Sequence, residues 1–204
     1  NGPQNFSYVT TGLAPINFVL DDDADATLSN TRVYSNVVPD SYTITENPSS
    51  EFLLDNLTCS DPDNGTTINL STRAATIDLD SGESIICIYT NIQRGTIAII
   101  KDTVPNNAQN FGYVASGLVP LNFVLDDDSD PILPNTRVYS NIAPGNYTVT
   151  ENILSGFRLT SLFCTDPDNG SIINLQTRTA TIDLDAGENI TCTFTNFQTG
   201  SITI

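Results

Sequence analysis

The chain has 204 residues, of which 39% are hydrophobic and 15% charged, and it contains no histidine, methionine or tryptophan. Because histidine is the usual general base and the commonest metal ligand, its absence excludes Ser-His-Asp, Cys-His and histidine-zinc chemistry and argues against a turnover enzyme. The net charge of -17 repels phosphate backbones and anionic membrane surfaces, so we expect no nucleic-acid partner. No apolar run approaches the roughly 20 residues of a membrane-spanning helix, and we expect no membrane insertion.

The sequence repeats itself, without a gap, at an offset of about 105 residues. The repeat pairs Phe6 with Phe111, Asp21-Asp22-Asp23 with Asp126-Asp127-Asp128, Cys59 with Cys164, and Cys87 with Cys192. A gapless match of this length indicates duplication of one domain of ordinary size. We predict a first repeat at residues 1–94, a second repeat at 95–199 and a separate short segment at 200–204.

The second repeat contains segments in which apolar and polar residues alternate, as they do in half-buried strands. In chain order these are residues 95–101, 147–151, 180–184 and 191–196. Sequences rich in Pro, Gly, Asn and Asp separate them and are typical of turns. Each repeat is therefore predicted to be an all-β, Ig-like antiparallel sandwich of about seven strands.

The cysteines form two pairs with the same spacing, Cys59 with Cys87 and Cys164 with Cys192. We predict one disulfide within each repeat, since two thiols per domain without histidine cannot build a zinc site. Free buried thiols are the alternative. Paired cysteines in an acidic, repeated sequence indicate an extracellular or cell-surface location.

Strand alternation predicts that three polar side chains of the second repeat point into its core. Lys101, the only lysine, shares a face with Ile97 and Ile99, and the same parity places Glu151 and Asn196 inward. A buried amine, carboxyl and amide must satisfy one another, so we expect the three to meet.

Two interpretations of this cluster stay open. In the first, the three groups form a hydrogen-bonded cluster. In the second, burial leaves a neutral Lys101 amine that attacks the side-chain amide of Asn196 and expels ammonia, while Glu151 moves the protons. Neither interpretation makes the residues catalytic toward an external substrate.

Three segments of the second repeat resemble the prealbumin-like, SpaA or Cna B-type repeats of bacterial surface proteins and pili. They are the run from Pro144 to Glu151, the opening strand with Lys101, and the closing Thr193-Phe194-Thr195-Asn196. The resemblance implies a prealbumin-like fold and an intramolecular isopeptide bond between Lys101 and Asn196, assisted by Glu151. It also implies that the chain serves as a stalk, adhesin or polymer subunit.

The first repeat has no equivalent of the opening strand and its lysine, although Glu46 and Asn91 match Glu151 and Asn196. After the second repeat, Gly200, Ser201, Ile202, Thr203 and Ile204 repeat the start of an opening strand. An open sandwich edge exposes core and unpaired backbone groups, and an added strand repairs both. We therefore expect this tail to act as a donor strand that joins identical subunits head to tail into a filament. Alternatively, the sequence is a window of a longer tandem array, in which the strand comes from the continuous chain.

Acidic clusters suggest a competing function, a calcium-binding adhesin or a surface module for a host or matrix ligand. The candidate ligands for Ca²⁺ are Asp21, Asp23, Asp25, Asp126, Asp128 and Asp130. A second cluster type, Asp61-Pro62-Asp63-Asn64-Gly65 and its copy at 166–170, is also rich in oxygen ligands. Neither matches the EF-hand pattern, and Asx-rich turns at strand ends are the alternative explanation. We expect no other cofactor.

Overall fold

The computed structural model describes residues 5–23, 27–128 and 131–204 and divides the chain into two compact units. The first unit spans Asn1–Ile92 and the second spans Gln93–Ile204. In the described residues all regular elements are strands, as the alternating pattern predicts. None of these residues belongs to a helix that is long and apolar enough to cross a membrane.

The second unit is a complete sandwich of two sheets. Its strands are β8 (Gly95–Val104), β9 (Asn107–Ser116), β10 (Asn122–Asp127), β11 (Thr136–Ile142), β12 (Gly145–Glu151), β13 (Phe157–Thr165), β14 (Ile172–Asn174), β15 (Thr179–Leu184) and β16 (Asn189–Gln198). One sheet has the order β10-β9-β12-β15-β14 and the other β11-β8-β16-β13. The strands pair antiparallel except for β8 and β16, which run parallel. Ile97, Ile99, Phe111, Val149 and Phe194 belong to the continuous core between the sheets.

The strands of the first unit are β1 (Phe6–Thr11), β2 (Asn17–Leu20), β3 (Asp40–Glu46), β4 (Phe52–Ser60), β5 (Thr67–Asn69), β6 (Ala74–Leu79) and β7 (Ile86–Gln93). The sheet β2-β1-β3-β6-β5 matches the five-stranded sheet of the second unit. The opposite sheet, within the described residues, consists of β4 and β7 alone. The counterparts of β8 and β11 are therefore missing from it.

The absence of a β11 counterpart does not come from a different local sequence. Residues 31–36 and 136–141 are the same hexapeptide, Thr-Arg-Val-Tyr-Ser-Asn, yet only the second copy forms a strand. In the second unit β11 pairs with β8 along its length. Among the described residues of the first unit, no such strand lies beside the hexapeptide, so its backbone has no ladder to join.

The open sheet leaves the core of the first unit partly exposed. Leu184 and Ile182 are fully buried in the second unit, whereas their counterparts Leu79 and Ile77 are half-buried. Tyr89, the counterpart of buried Phe194, is also half-buried. Apolar area that stays in contact with water contributes no burial free energy, so this unit is the less stabilised of the two.

The tail at residues 200–204 lies outside both sheets. It forms no strand, and Ile202 and Ile204 are 91% and 118% exposed. Among the residues that the structure describes, neither isoleucine belongs to the packed core of the second unit.

Candidate functional site

Three strands bring Lys101, Glu151 and Asn196 together in the core of the second unit. Lys101 lies on β8, Glu151 ends β12 and Asn196 lies near the end of β16. The burial pattern of β8 alternates with period two from Gly95 to Thr103, which places the lysine inward as parity predicts. All three side chains are essentially fully buried.

The Lys101 ammonium is surrounded by acceptors. Its Nζ donates to the Asn196 Oδ1, the Phe194 carbonyl and the Asp102 carbonyl, each at 2.9 Å, and lies 3.4 Å from the Glu151 Oε1. It also lies 4.2 Å from the centroid of the Phe111 ring. Burial lowers the pKa of Lys101 to about 8, against the opposing effect of Glu151. The lower pKa increases the fraction of neutral, nucleophilic amine near neutral pH.

Glu151 contacts both members of the lysine and asparagine pair. The Asn196 Nδ2 donates to its Oε2 at 3.3 Å, and the Tyr113 hydroxyl donates to its Oε1 at 3.5 Å. Burial next to this carboxylate raises the pKa of the Tyr113 hydroxyl, so the phenol stays protonated as a donor. The carboxyl group thus bridges the amine and the amide nitrogen, which is the arrangement that proton transfer between them requires.

An arginine that the sequence analysis missed also binds this glutamate. The Arg178 guanidinium pairs with the Glu151 Oε2, and its Nε donates to the Glu151 carbonyl at 3.2 Å. Arg178 has a φ of 61°, and its counterpart Arg73, which binds Glu46 at 3.2 Å, has a φ of 60°. Each arginine is the last residue of the turn that joins β5 to β6 or β14 to β15, a position where a left-handed residue is common, and the Arg73 amide donates to the Leu70 carbonyl at 3.2 Å. No periodicity in the sequence signals this conformation.

A second polar contact fixes the end of β8. The Asp127 Oδ2 accepts from the Thr103 amide at 2.8 Å and from its hydroxyl at 3.1 Å. Asp127 is 7% exposed, and Thr103 is buried. The sequence analysis named Asp126 and Asp128 as candidate calcium ligands and missed this pairing of Asp127. The alternating pattern of β8 places Thr103 inward, and this pattern could have indicated from the sequence that Thr103 needs a buried polar partner.

The first unit has the same site without the lysine. The Asn91 Nδ2 donates to the Glu46 Oε1 at 2.7 Å, and burial raises the pKa of Glu46 against the opposing effects of Asn91 and Arg73. Within the described residues no donor reaches the buried Asn91 Oδ1. This is the atom whose counterpart on Asn196 accepts from Lys101.

Among the described residues, the predicted calcium ligands are Asp21 and Asp23 in the first unit and Asp126 and Asp128 in the second, and neither pair belongs to a group of three converging carboxylates. Asp21 and Asp126 are buried at strand ends, and the structure places Asp23 and Asp128 beside them in the chain. Asp25 and Asp130 lie outside the described residues. Calcium binding at these six aspartates stays a prediction.

Carboxylates of the other acidic cluster do converge. Oxygens of Asp61, Asp63 and Glu83 lie within 4.8 Å of one another, as do those of Asp166, Asp168 and Glu188. They already accept backbone hydrogen bonds; the Asp61 Oδ2, for example, accepts from the Thr66 amide at 2.7 Å. Hydrogen bonding to Thr66 lowers the pKa of Asp61 to about 2. These contacts are those of Asx turns.

Both predicted disulfides are present. Cys59 on β4 bonds Cys87 on β7, and Cys164 on β13 bonds Cys192, its direct cross-strand partner on β16. In each unit the disulfide joins the last strand to its neighbour. In the first unit it therefore links β4 to β7, the two strands that form this sheet.

Each unit is built of two sheets and carries an inward glutamate and asparagine at matching positions, to which the second unit adds Lys101 on β8. The family model of the SpaA-type prealbumin-like fold domain matches residues 1–93 and again residues 97–198. The chain belongs to this family, as the resemblance in the sequence implied. No curated protein matches the sequence.

Solved structures with a similar fold come from bacterial pili and adhesins. The major pilin of Streptococcus pyogenes is 14% identical, with a TM-score of 0.33 over 96% of this chain and 91% of that chain. An adhesin from Mobiluncus mulieris that contains intramolecular disulfide, isopeptide and ester cross-links is 11% identical, with a TM-score of 0.42 over 96% and 85%. At these values the likeness concerns the fold alone.

Proposed function

We propose that the chain is a structural subunit of an extracellular filament or surface stalk, in which prealbumin-like repeats are joined head to tail by β-strand complementation. The family and the two disulfides support an extracellular structural role. The observation that carries the proposal is the two-stranded sheet of the first unit, compared with the four-stranded sheet of the second.

Compared with the second unit, the sheet of β4 and β7 lacks one strand between β7 and the hexapeptide at 31–36. Tyr34 already makes the contacts of its counterpart Tyr139, since its hydroxyl donates to the Pro15 carbonyl at 3.1 Å and its ring meets Phe18 at 6.1 Å. The corresponding distances at Tyr139 are 3.2 Å and 6.0 Å. The hexapeptide at 31–36 thus keeps two contacts that its copy makes on β11, and one strand between it and β7 would complete the sheet.

The tail at residues 200–204 matches the beginning of that strand. Ile202 and Ile204 correspond to Ile97 and Ile99, which are fully buried on β8. In the register of β8 and β16, Ile99 lies opposite Cys192, so Ile204 would lie opposite Cys87 of an acceptor unit. Pairing would satisfy the backbone groups along the edge of β7 and bury both isoleucines.

The same strand could be supplied by a preceding repeat of a longer polypeptide. Both arrangements produce a linear series of sandwiches and use the same contacts. They differ in whether a peptide bond connects the donor strand to the acceptor unit.

Electron microscopy of the purified chain tests the separate-subunit arrangement. Negative staining of concentrated protein is expected to show thin beaded filaments. Ile202→Asp should abolish them because it places a charge in the core, whereas Thr203→Asp, at an outward position of the same tail, should not. Dispersed monomers from the parent, or filaments unaffected by Ile202→Asp, would contradict assembly through this tail.

We also propose that an isopeptide bond braces the second unit. The Lys101 Nζ would attack the Asn196 Cγ, and the Asn196 Nδ2 would leave as ammonia, with Glu151 passing the proton from amine to leaving group. The support is the 2.9 Å contact of Nζ with Oδ1 and the position of Glu151 against both partners.

The intact mass of the chain tests the bond. Loss of ammonia lowers the mass by about 17 Da, beyond the loss that the disulfides account for. Glu151→Gln should restore the full mass, and Glu188→Gln, a control outside the lysine cluster, should not. A parent chain at full mass would favour the hydrogen-bonded cluster.

A further inference from the structure

The outer face of the four-stranded sheet in the second unit carries large apolar side chains that do not belong to the core. Phe163 on β13 is 63% exposed, and Phe197 on β16 is 48% exposed. Val104 at the end of β8 is also exposed, and Ile100 is half-buried on the same face. Neighbouring apolar side chains in contact with water are typical of interaction surfaces.

The internal repeat shows that the fold does not require Phe163. Thr58 occupies the matching position on β4 of the first unit, and it is also exposed. A strand forms at this position with either residue, so the phenylalanine is not needed to build the sheet. Aromatic side chains are enriched where proteins bind one another, which gives an exposed phenylalanine of this kind a role in binding.

The strand register arranges Phe163 and Ile100 symmetrically about β16. In one row across the sheet, Thr193 on β16 pairs with Phe163 on one side and with Ile100 on the other. A second copy related by a twofold axis along β16 would therefore place its Phe163 on Ile100 of the first copy, and the reverse. Both apolar side chains would leave water in this contact.

A second row, further along β16, is complementary in charge as well. Phe197 pairs with Arg158 on β13 and with Val104 on β8. Under the same twofold axis Phe197 would meet Phe197 of the second copy, and Arg158 would lie over Val104 of that copy. Asp102 is the preceding outward residue of β8, about 7 Å from Val104 along the strand, which brings it within reach of the guanidinium.

The charges on this face cancel. Asp102 and Arg158 are the only charged side chains among the outward residues of β8, β13 and β16. Within the part of the chain that the structure describes, neither belongs to an ion pair. The net charge of the chain is -17, so two copies repel each other, and the repulsion is smallest where neutral faces meet.

We propose that the outward residues of β8, β13 and β16 bind the same face of a second copy about a twofold axis along β16. Sheets in face-to-face contact lie about 10 Å apart with interdigitating side chains. Three strands with four outward residues each span about 400 Å² per copy. A total of about 800 Å² is at the low end for protein interfaces, so the association of two chains is weak.

This contact does not use the tail at residues 200–204. In a filament of the kind proposed above, it would join neighbouring filaments side by side, and this consequence alone rests on the proposed function. Many weak contacts along two filaments would act together and bind far more tightly than one.

Sedimentation equilibrium of the full chain tests the contact. Ile202→Asp is introduced so that assembly through the tail does not contribute, and this chain is expected to show a monomer–dimer equilibrium at concentrations up to about 0.5 mM. Phe163→Thr, which copies Thr58, should raise the dissociation constant about tenfold or more, because both copies lose a buried aromatic ring. Val114→Thr, at an exposed position of the other sheet, is the control and should not change it.

Two further variants test the twofold axis. Arg158→Glu should weaken the dimer about tenfold or more, because it brings a second carboxylate toward Asp102, and addition of Asp102→Lys to the same chain should restore the affinity to within about threefold. Thr193→Cys should be cross-linked to its own copy by a short bismaleimide, whereas Thr181→Cys, on the outer face of the other sheet, should not.

The outcomes separate this contact from strand complementation. A monomeric Ile202→Asp chain at about 0.5 mM would overturn the face contact and leave strand complementation intact. Dimers unaffected by Phe163→Thr, or equal cross-linking of the two cysteine variants, would also overturn it. Dimers of the Ile202→Asp chain combined with a parent chain that forms no filaments would support the face contact and contradict strand complementation alone.

Discussion

Replacement of Lys101 by methionine keeps most of the volume of this side chain and removes its charge. The Asn196 Oδ1 and the Phe194 carbonyl each lose a donor at 2.9 Å, and Glu151 loses a cation at 3.4 Å. The methionine cannot replace these contacts, and the surrounding core excludes water. We therefore expect Lys101→Met to destabilise the second unit strongly.

The magnitude follows from the burial of the partners. Removal of one member of a buried ion pair costs about 3–5 kcal/mol, since the other charge stays buried. Arg178 still binds Glu151, which places the expected loss near the lower end of this range. In a domain of this size about 3 kcal/mol lowers the unfolding midpoint by about 10 °C or more. Loss of an isopeptide bond would increase the effect further.

Calorimetry of the parent and the variant measures the midpoints directly. Arg158→Met, which removes an exposed positive charge from β13, is the matched control and should change stability by less than about 0.5 kcal/mol. The transition of the first unit, which contains no lysine, should not move. A Lys101→Met variant as stable as the Arg158→Met control would show that the buried cluster does not stabilise the unit.

Three other perturbations have defined outcomes. If Lys101 is a free amine, its pKa is lowered to about 8 in the folded chain, so above pH 8 the unfolded chain binds more protons than the folded one. The free energy of unfolding of the second unit should then rise with pH by at most about 1.4 kcal/mol per pH unit. Urea titrations from pH 8 to 9.5 measure this slope, which would be absent if Lys101 were consumed in an amide bond. Asp127→Ala should lower the free energy of unfolding of the second unit by about 1–3 kcal/mol in urea, because the Thr103 amide and hydroxyl lose their acceptor. Asp22→Ala, at the matching exposed position, should leave the stability of the first unit unchanged, and equal effects of the two variants would refute a stabilising role of the contact between Asp127 and Thr103. Replacement of both Cys59 and Cys87 by alanine should accelerate hydrogen exchange along β7, since an isolated two-stranded ribbon is marginally stable. Unchanged protection of the β7 amides would contradict stabilisation of this sheet by the disulfide.

Much of the fold could be predicted because strand parity is a local property. Alternation alone placed Lys101, Glu151 and Asn196 inward, and identical spacing paired the cysteines. The internal repeat then supplied a comparison between a unit with an opening strand and one without it. These inferences need only the sequence and the geometry of an extended chain.

The rest depends on tertiary contacts. The hexapeptides at 31–36 and 136–141 are identical, yet only the one beside β8 forms a strand, so no local rule distinguishes them. Arg73 and Arg178 each pair with a glutamate on another strand, and only the folded sheet brings these residues together. Asp127 was not among the candidate calcium ligands, and only the fold brings Thr103 on β8 to it.

The parallel pairing of β8 and β16 determines how the second unit would respond to mechanical force. Tension applied at Gly95 and Gln198 would pull the two strands in opposite directions along their length, because the chain enters at one end of the pair and leaves at the other. All the hydrogen bonds between them would then be sheared at once instead of being opened one after another. The contact between Lys101 and Asn196 lies across this same boundary and would share the load.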